Sequence, residues 1–156
     1  MRRWVLVVGC VLAGCAFLYA TDTHNEMIAK EVFTRVFAGG ETSLVDQLYA
    51  PNYHDNYPGN DAPGPYGREF VKQAARGWKR AFPDLAIAFN NVVSDGDKVV
   101  VHWTATGTQK GPLGDLPASG RHASLPGITI FRFEHGKIAE EWTVFDRANL
   151  MHQLTL

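Results

Sequence analysis

The stretch Arg121–Asp146, RHASLPGITIFRFEHGKIAEEWTVFD, leaves this chain few ways to fold. Ile128, Thr129, Ile130, Phe131 and Phe133 make a β-branched and aromatic run, and Lys137–Phe145 makes a second. Between them, Glu134-His135-Gly136-Lys137 puts a glycine where a tight hairpin needs positive φ. Both runs are apolar on two faces, so the remaining chain must cover them.

The period changes along the remaining chain. Thr23-His24-Asn25-Glu26 reads as a capping box, and Met27, Ile28, Val32, Val36 and Phe37 follow at helical spacing up to Gly39-Gly40. A shorter helix is expected from about Ser43 to a stop before Pro51, then a short strand over Tyr53–Tyr57. Past a Gly/Pro-rich loop, Phe70, Val71, Ala74, Trp78 and Phe82 share one side of a third helix. From Leu85 the period becomes 2. Leu85–Val93 and Lys98–Gln109 flank the Asp95-Gly96 hairpin signal, and a last helix capped by Asp146 covers Arg147–Leu154. The expectation is an α+β fold, with helices packed on one face of a curled antiparallel sheet.

Composition narrows the function classes. A chain of 156 residues with 46% apolar content suits one domain with a real core, and a net charge of −1 excludes a broad nucleic-acid footprint. Both cysteines, Cys10 and Cys15, lie near the start, which leaves the body without a disulfide, thiol nucleophile or thiolate metal site. The six histidines are scattered singly, so no metal is expected.

The first residues carry an export signal. Arg2 and Arg3 precede an apolar run, Trp4–Leu12, and Leu12-Ala13-Gly14-Cys15 resembles the lipobox of bacterial lipoproteins. That resemblance implies cleavage before Cys15, lipidation of its thiol, and a place in the bacterial periplasm or cell envelope. Residues 1–20 are read as signal peptide and short tether, and 21–156 as the folded domain. A cut after Ala20 and an uncleaved anchor over Trp4–Tyr19 are the alternatives.

The order of elements, with Phe82-Pro83-Asp84-Leu85, Gly114–Arg121, Gly127–Arg132 and Gly136–Trp142, resembles a known group. It is similar to the SnoaL-like polyketide cyclases and ester cyclases of the nuclear transport factor 2-like superfamily. The resemblance implies a cone-shaped fold with one deep apolar pocket, a frequent homodimer, and aldol-type ring closure in some members. It also implies an aspartate acid/base just after the tryptophan of the last motif. Here that position is Thr143, and a hydroxyl with no base behind it cannot take a carbon-bound proton near neutral pH.

Other residues must then carry any chemistry. The catalytic candidates are His54 and Asp55, which pair a proton carrier with a carboxylate, Glu141, which shares Thr143's strand parity, and Asp146, whose first reading is a helix cap. Tyr53, Trp78, His102, Trp103, Phe131, Trp142 and Thr143 are candidate pocket-lining residues, with plain core packing as the alternative for the aromatic ones. Two functions fit. One is an exported, cofactor-free acid/base enzyme (cyclase, isomerase or hydrolase) acting on a small hydrophobic carbonyl or ester compound. The other is a lipid-anchored binding or dimerisation module without catalysis, whose only membrane contact is the leader.

Overall fold

The computed structural model describes residues 24–56 and 67–156. The expected export signal, Cys15, the expected Thr23 cap and residues 57–66 lie outside the described residues. Among the described residues, four helices pack on a single five-stranded sheet that curls without closing.

Helix α1 spans 24–38, and its second half, Val32–Ala38, is wound as a π-helix. Val32, Phe33 and Phe37 reach the cavity, with Phe33 following the buried Ala29 at i+4 on the inner face of the helix. Met27, an expected core residue, is instead 55% exposed. A 3₁₀ turn, Thr42–Leu44, leads into the short α2, Val45–Leu48. The expected helix stops there, and strand β1 occupies Tyr49–Asp55, four residues earlier than its sequence reading. Helix α3, Arg68–Ala81, buries Val71, Ala75 and Ala81.

The four long strands are β2 (Ala86–Asp95), β3 (Lys98–Thr108), β4 (His122–Glu134) and β5 (Lys137–Phe145). Each pairs antiparallel with the next, as the alternating pattern requires. The β4–β5 turn has positive φ at both His135 (50°) and Gly136 (72°), the conformation that matches strand twist in two-residue hairpins. Strand β1 joins the sheet parallel to β5, so the sheet is mixed, in the order β1-β5-β4-β3-β2. Helix α4, Arg147–Thr155, closes the fold; Asp146 Oδ1 accepts the Asn149 amide at 2.8 Å and caps it.

Away from the register shifts at Tyr49/His54, Phe89/Asn91 and Arg132/Phe133, alternation assigns strand residues to faces. Val99, Val101, Trp103, Phe131 and Phe133 point into the core against Phe33 and the helices. The buried Gln109 organises the long β3–β4 connection: its amide donates to the Gly111 and Pro117 carbonyls, and its oxygen accepts from the Ser119 hydroxyl and amide. That connection delivers Leu113 and Gly114 to the open end of the concave face.

Candidate active site

The helices do not fill the concave face. A cavity of about 340 Å³ remains, within the range of small-molecule sites. Its walls are mostly apolar: Phe33 and Phe37 from α1, Phe70 and Trp78 from α3, Leu85 just before β2, and Ile87, Trp103, Leu125 and Phe145 from the sheet. Trp78 stacks on Phe82 with centroids 5.7 Å apart and meets the edge of Phe145 at 6.1 Å, so this wall is rigid aromatic surface.

The polar lining is small and concentrated. Asp55, Thr129, Glu141, Thr143 and Arg147 supply its charged and hydroxyl side chains. Register explains the cluster. Thr129 lies opposite Thr143 across β4 and β5, and Asp55 lies opposite Glu141 across β1 and β5. Two carboxylates are thus neighbours on one face in a mostly apolar chamber, an arrangement that disfavours charging both.

Glu141 is the centre of this group. Its Oε1 accepts from the Thr143 hydroxyl at 2.9 Å. Its Oε2 accepts from Tyr49 at 3.2 Å and, more weakly, from Tyr53 at 3.4 Å. The two phenol rings pack edge-on at 4.7 Å below it. Burial pushes the Glu141 carboxyl up to about 7, with the charge of Asp55 adding to the rise, while the three hydroxyl donors pull the other way. Burial, reinforced by Glu141, also drives both tyrosines upward, so they stay neutral donors. A carboxyl that titrates near neutrality inside an apolar cavity can accept and return protons, the requirement for general acid/base work.

The sequence candidates separate cleanly in space. Asp55, Trp78, Trp103, Glu141 and Thr143 line the cavity, and Tyr53 supports it from beneath. Phe131 is wholly buried core. His54 is exposed, because neighbouring strand residues point to opposite faces and Asp55 takes the inner one. His102 and Trp142 have the outward parity of Ile128 and Ile130, their cross-strand partners, so neither reaches the cavity. Asp146 serves as the helix cap. Among the described residues, no cluster of three His, Cys, Asp or Glu is arranged to hold a metal. Tyr49, Thr129 and Arg147 were not singled out by the sequence. Tyr49 fell inside an expected helix, and Thr129 looked like one β-branched residue among many.

Fold and site together define a class: an α+β protein whose curled sheet and helices enclose one apolar chamber with an acidic group at its base. The model of the SnoaL-like polyketide cyclases matches residues 27–154, and the chain belongs to that family. TsrD from Streptomyces laurentii is 31% identical over 85% of this chain and 96% of its own, with a TM-score of 0.74. A Jannaschia sp. CCS1 protein classed as a SnoaL-like polyketide cyclase is 25% identical over 86% and 93%, with a TM-score of 0.77. IdmH from Streptomyces antibioticus, classed as a polyketide cyclase, is 25% identical over 85% and 99%, with a TM-score of 0.71. No curated protein matches the chain.

Proposed function

We propose that the protein is a cofactor-free acid/base catalyst of the cyclase or isomerase type, acting on a small hydrophobic carbonyl compound, with Glu141 as its proton-transfer group. The carrying observation is the placement of Glu141: in the cavity lining, beside Asp55, its oxygens held by three hydroxyls. The apolar walls fit the substrate body, and a carboxylate near neutral pKa fits removal of a proton beside a carbonyl. His54 has no part in this reading.

The test is turnover of a panel of apolar, enolisable ketones and esters by the wild type and Glu141→Gln. Catalysis should fall about 10²-fold or more in the variant, as for a lost general base, with binding of an apolar fluorescent probe little changed. Equal turnover by both proteins would overturn the assignment. Probe binding with no turnover of any panel member by either would favour the non-catalytic binding module.

We also propose export with a lipid anchor at Cys15, on the strength of Arg2, Arg3, the apolar run after them and Leu12-Ala13-Gly14-Cys15. Palmitate labelling in a bacterial host should be lost in Cys15→Ser; equal labelling would remove the lipobox reading. A homodimer through the outer face of the sheet completes the proposal. Val93, Ile128 and Val144 are 61%, 48% and 60% exposed there, and a two-fold pairing lets each copy's patch cover the other.

A further inference from the structure

We propose that Thr143, Thr129 and Trp103 form a one-way chain of positioning residues that fixes the Glu141 carboxylate in the cavity and supports its ionised form. This rests on the reading of Glu141 as the reacting group. The links are continuous: Trp103 Nε1 to Thr129 Oγ1 at 3.0 Å, Thr129 Oγ1 to Thr143 Oγ1 at 2.8 Å, and Thr143 Oγ1 to Glu141 Oε1 at 2.9 Å. They run across three strands, from β3 through β4 to β5.

Donor arithmetic sets the direction. An indole nitrogen only donates, so Thr129 must accept from Trp103. Each threonine has one hydroxyl hydrogen. With Thr143 giving its own to the Glu141 carboxylate, Thr129 gives its own to Thr143, and every hydrogen in the chain points toward Glu141. Such a chain stabilises negative charge at its end, because each link polarises the next. It cannot carry a proton onward, since the indole nitrogen at its far end has no lone pair to accept one. A proton taken by Glu141 therefore does not leave through the threonines.

The fold secures the far end with a close approach. A Cβ on Gly127 would lie 2.3 Å from Trp103 Cζ2, so only glycine lets the indole lie across β4 and reach Thr129. Thr129 itself is 1% exposed, and water does not compete for its hydroxyl. The chain also gives Thr143 a role that differs from that of the family aspartate. It holds the acid, two residues away on the same face, rather than being the acid.

The groups facing Glu141 are few: Asp55, Tyr49 and Tyr53 from β1, Thr143 from its own strand, Thr129 from β4, with Arg147 of α4 in the same cavity. Removing one donor therefore has a readable sign. The experiment follows the Glu141 side-chain carboxyl by carbon-13 NMR titration of the full domain, its resonance identified by its loss in Glu141→Gln. Thr143→Val keeps the shape and removes the hydroxyl; the Glu141 midpoint should rise by about one pH unit, the scale of a lost hydrogen bond to a charged group. Thr143→Ser should restore the wild-type midpoint, and Trp103→Phe should give a smaller rise in the same direction. If Thr143→Val does not fold, Thr143→Ala gives the same reading.

An unchanged midpoint in the folded Thr143 variant, or the same rise in Thr143→Ser, overturns the chain and leaves Thr143 as packing. No substrate enters this measurement. A titration that behaves as expected beside a Glu141→Gln variant of full activity would keep the chain and reject the catalytic reading, so the two failures are distinguishable.

Discussion

The two faces of the β4–β5 hairpin share a backbone and differ in what covers them. On the concave side, Thr129, Phe131, Glu141, Thr143 and Phe145 are drawn into core and cavity. On the convex side, Ile128, Ile130, Trp142 and Val144 have opposite parity, with Ile128 and Val144 largely exposed. Apolar content does not distinguish these faces; both carry isoleucine, valine or aromatic residues. What differs is cover. The helices lie over one face and leave the other open, so a polar residue on the concave side is held in low dielectric while one on the convex side is solvated. A shift of one residue in register would exchange Glu141 for Trp142 in the cavity.

The largest expected effect contrasts packing on the two faces. Phe131→Ala removes a wholly buried ring that meets Phe33 at 5.9 Å and should cost about 3–5 kcal/mol in denaturant unfolding. Val144→Ala, outside, should cost less than about 0.5 kcal/mol. Comparable losses at both sites would mean that the convex face is also covered within the monomer.

The next effect is electrostatic, and its sign follows from Glu141. Its carboxyl titrates at about 7 in the fold against an ordinary 4.5, so the folded state binds more protons than the unfolded state between those values. Stability from this group is fully present below pH about 4.5 and is lost as pH rises through about 7, a swing on the order of 3 kcal/mol. Glu141→Gln should remove that slope, read as the difference between the unfolding free energies of the two proteins from pH 4 to 8. A parallel pair of curves would mean that the Glu141 carboxyl is not shifted by the fold.

The contrast also explains what could be read beforehand. The hairpin was visible because His135-Gly136 and the flanking β-branched runs are local signals, and strand parity alone put Glu141 with Thr143. The family's SnoaL-like pattern supplied the cavity. Two features depend on distant partners and left no local trace. Tyr49 became a donor to Glu141 because β1 joins β5 in parallel, a pairing across almost ninety intervening residues that helical spacing around Leu44–Leu48 disguised. The direction of the threonine chain rests on Gly127 admitting an indole, and a glycine in a strand does not announce its neighbour.

The smallest effect on folding should be the most informative about the open face. Val144 and Ile128 lie opposite each other in the β4–β5 register, Trp142 lies opposite Ile130, and Val93 extends the patch to β2. A two-fold axis over this face would bring each patch against its own copy, and a charge placed there would meet its like. Val144→Lys should therefore leave unfolding within about 0.5 kcal/mol of wild type under conditions where the protein is monomeric. In sedimentation velocity at micromolar concentration, wild type should run as a dimer and Val144→Lys as a monomer. The Glu141 titration should be the same in both, because that carboxyl faces the other way. A wild-type monomer at every concentration would remove the proposed dimer and leave the patch uncovered; a variant dimer as tight as wild type would move the interface elsewhere. A Glu141 midpoint that shifted with Val144→Lys would be the sharper result, since it would mean that the two faces are coupled through the sheet.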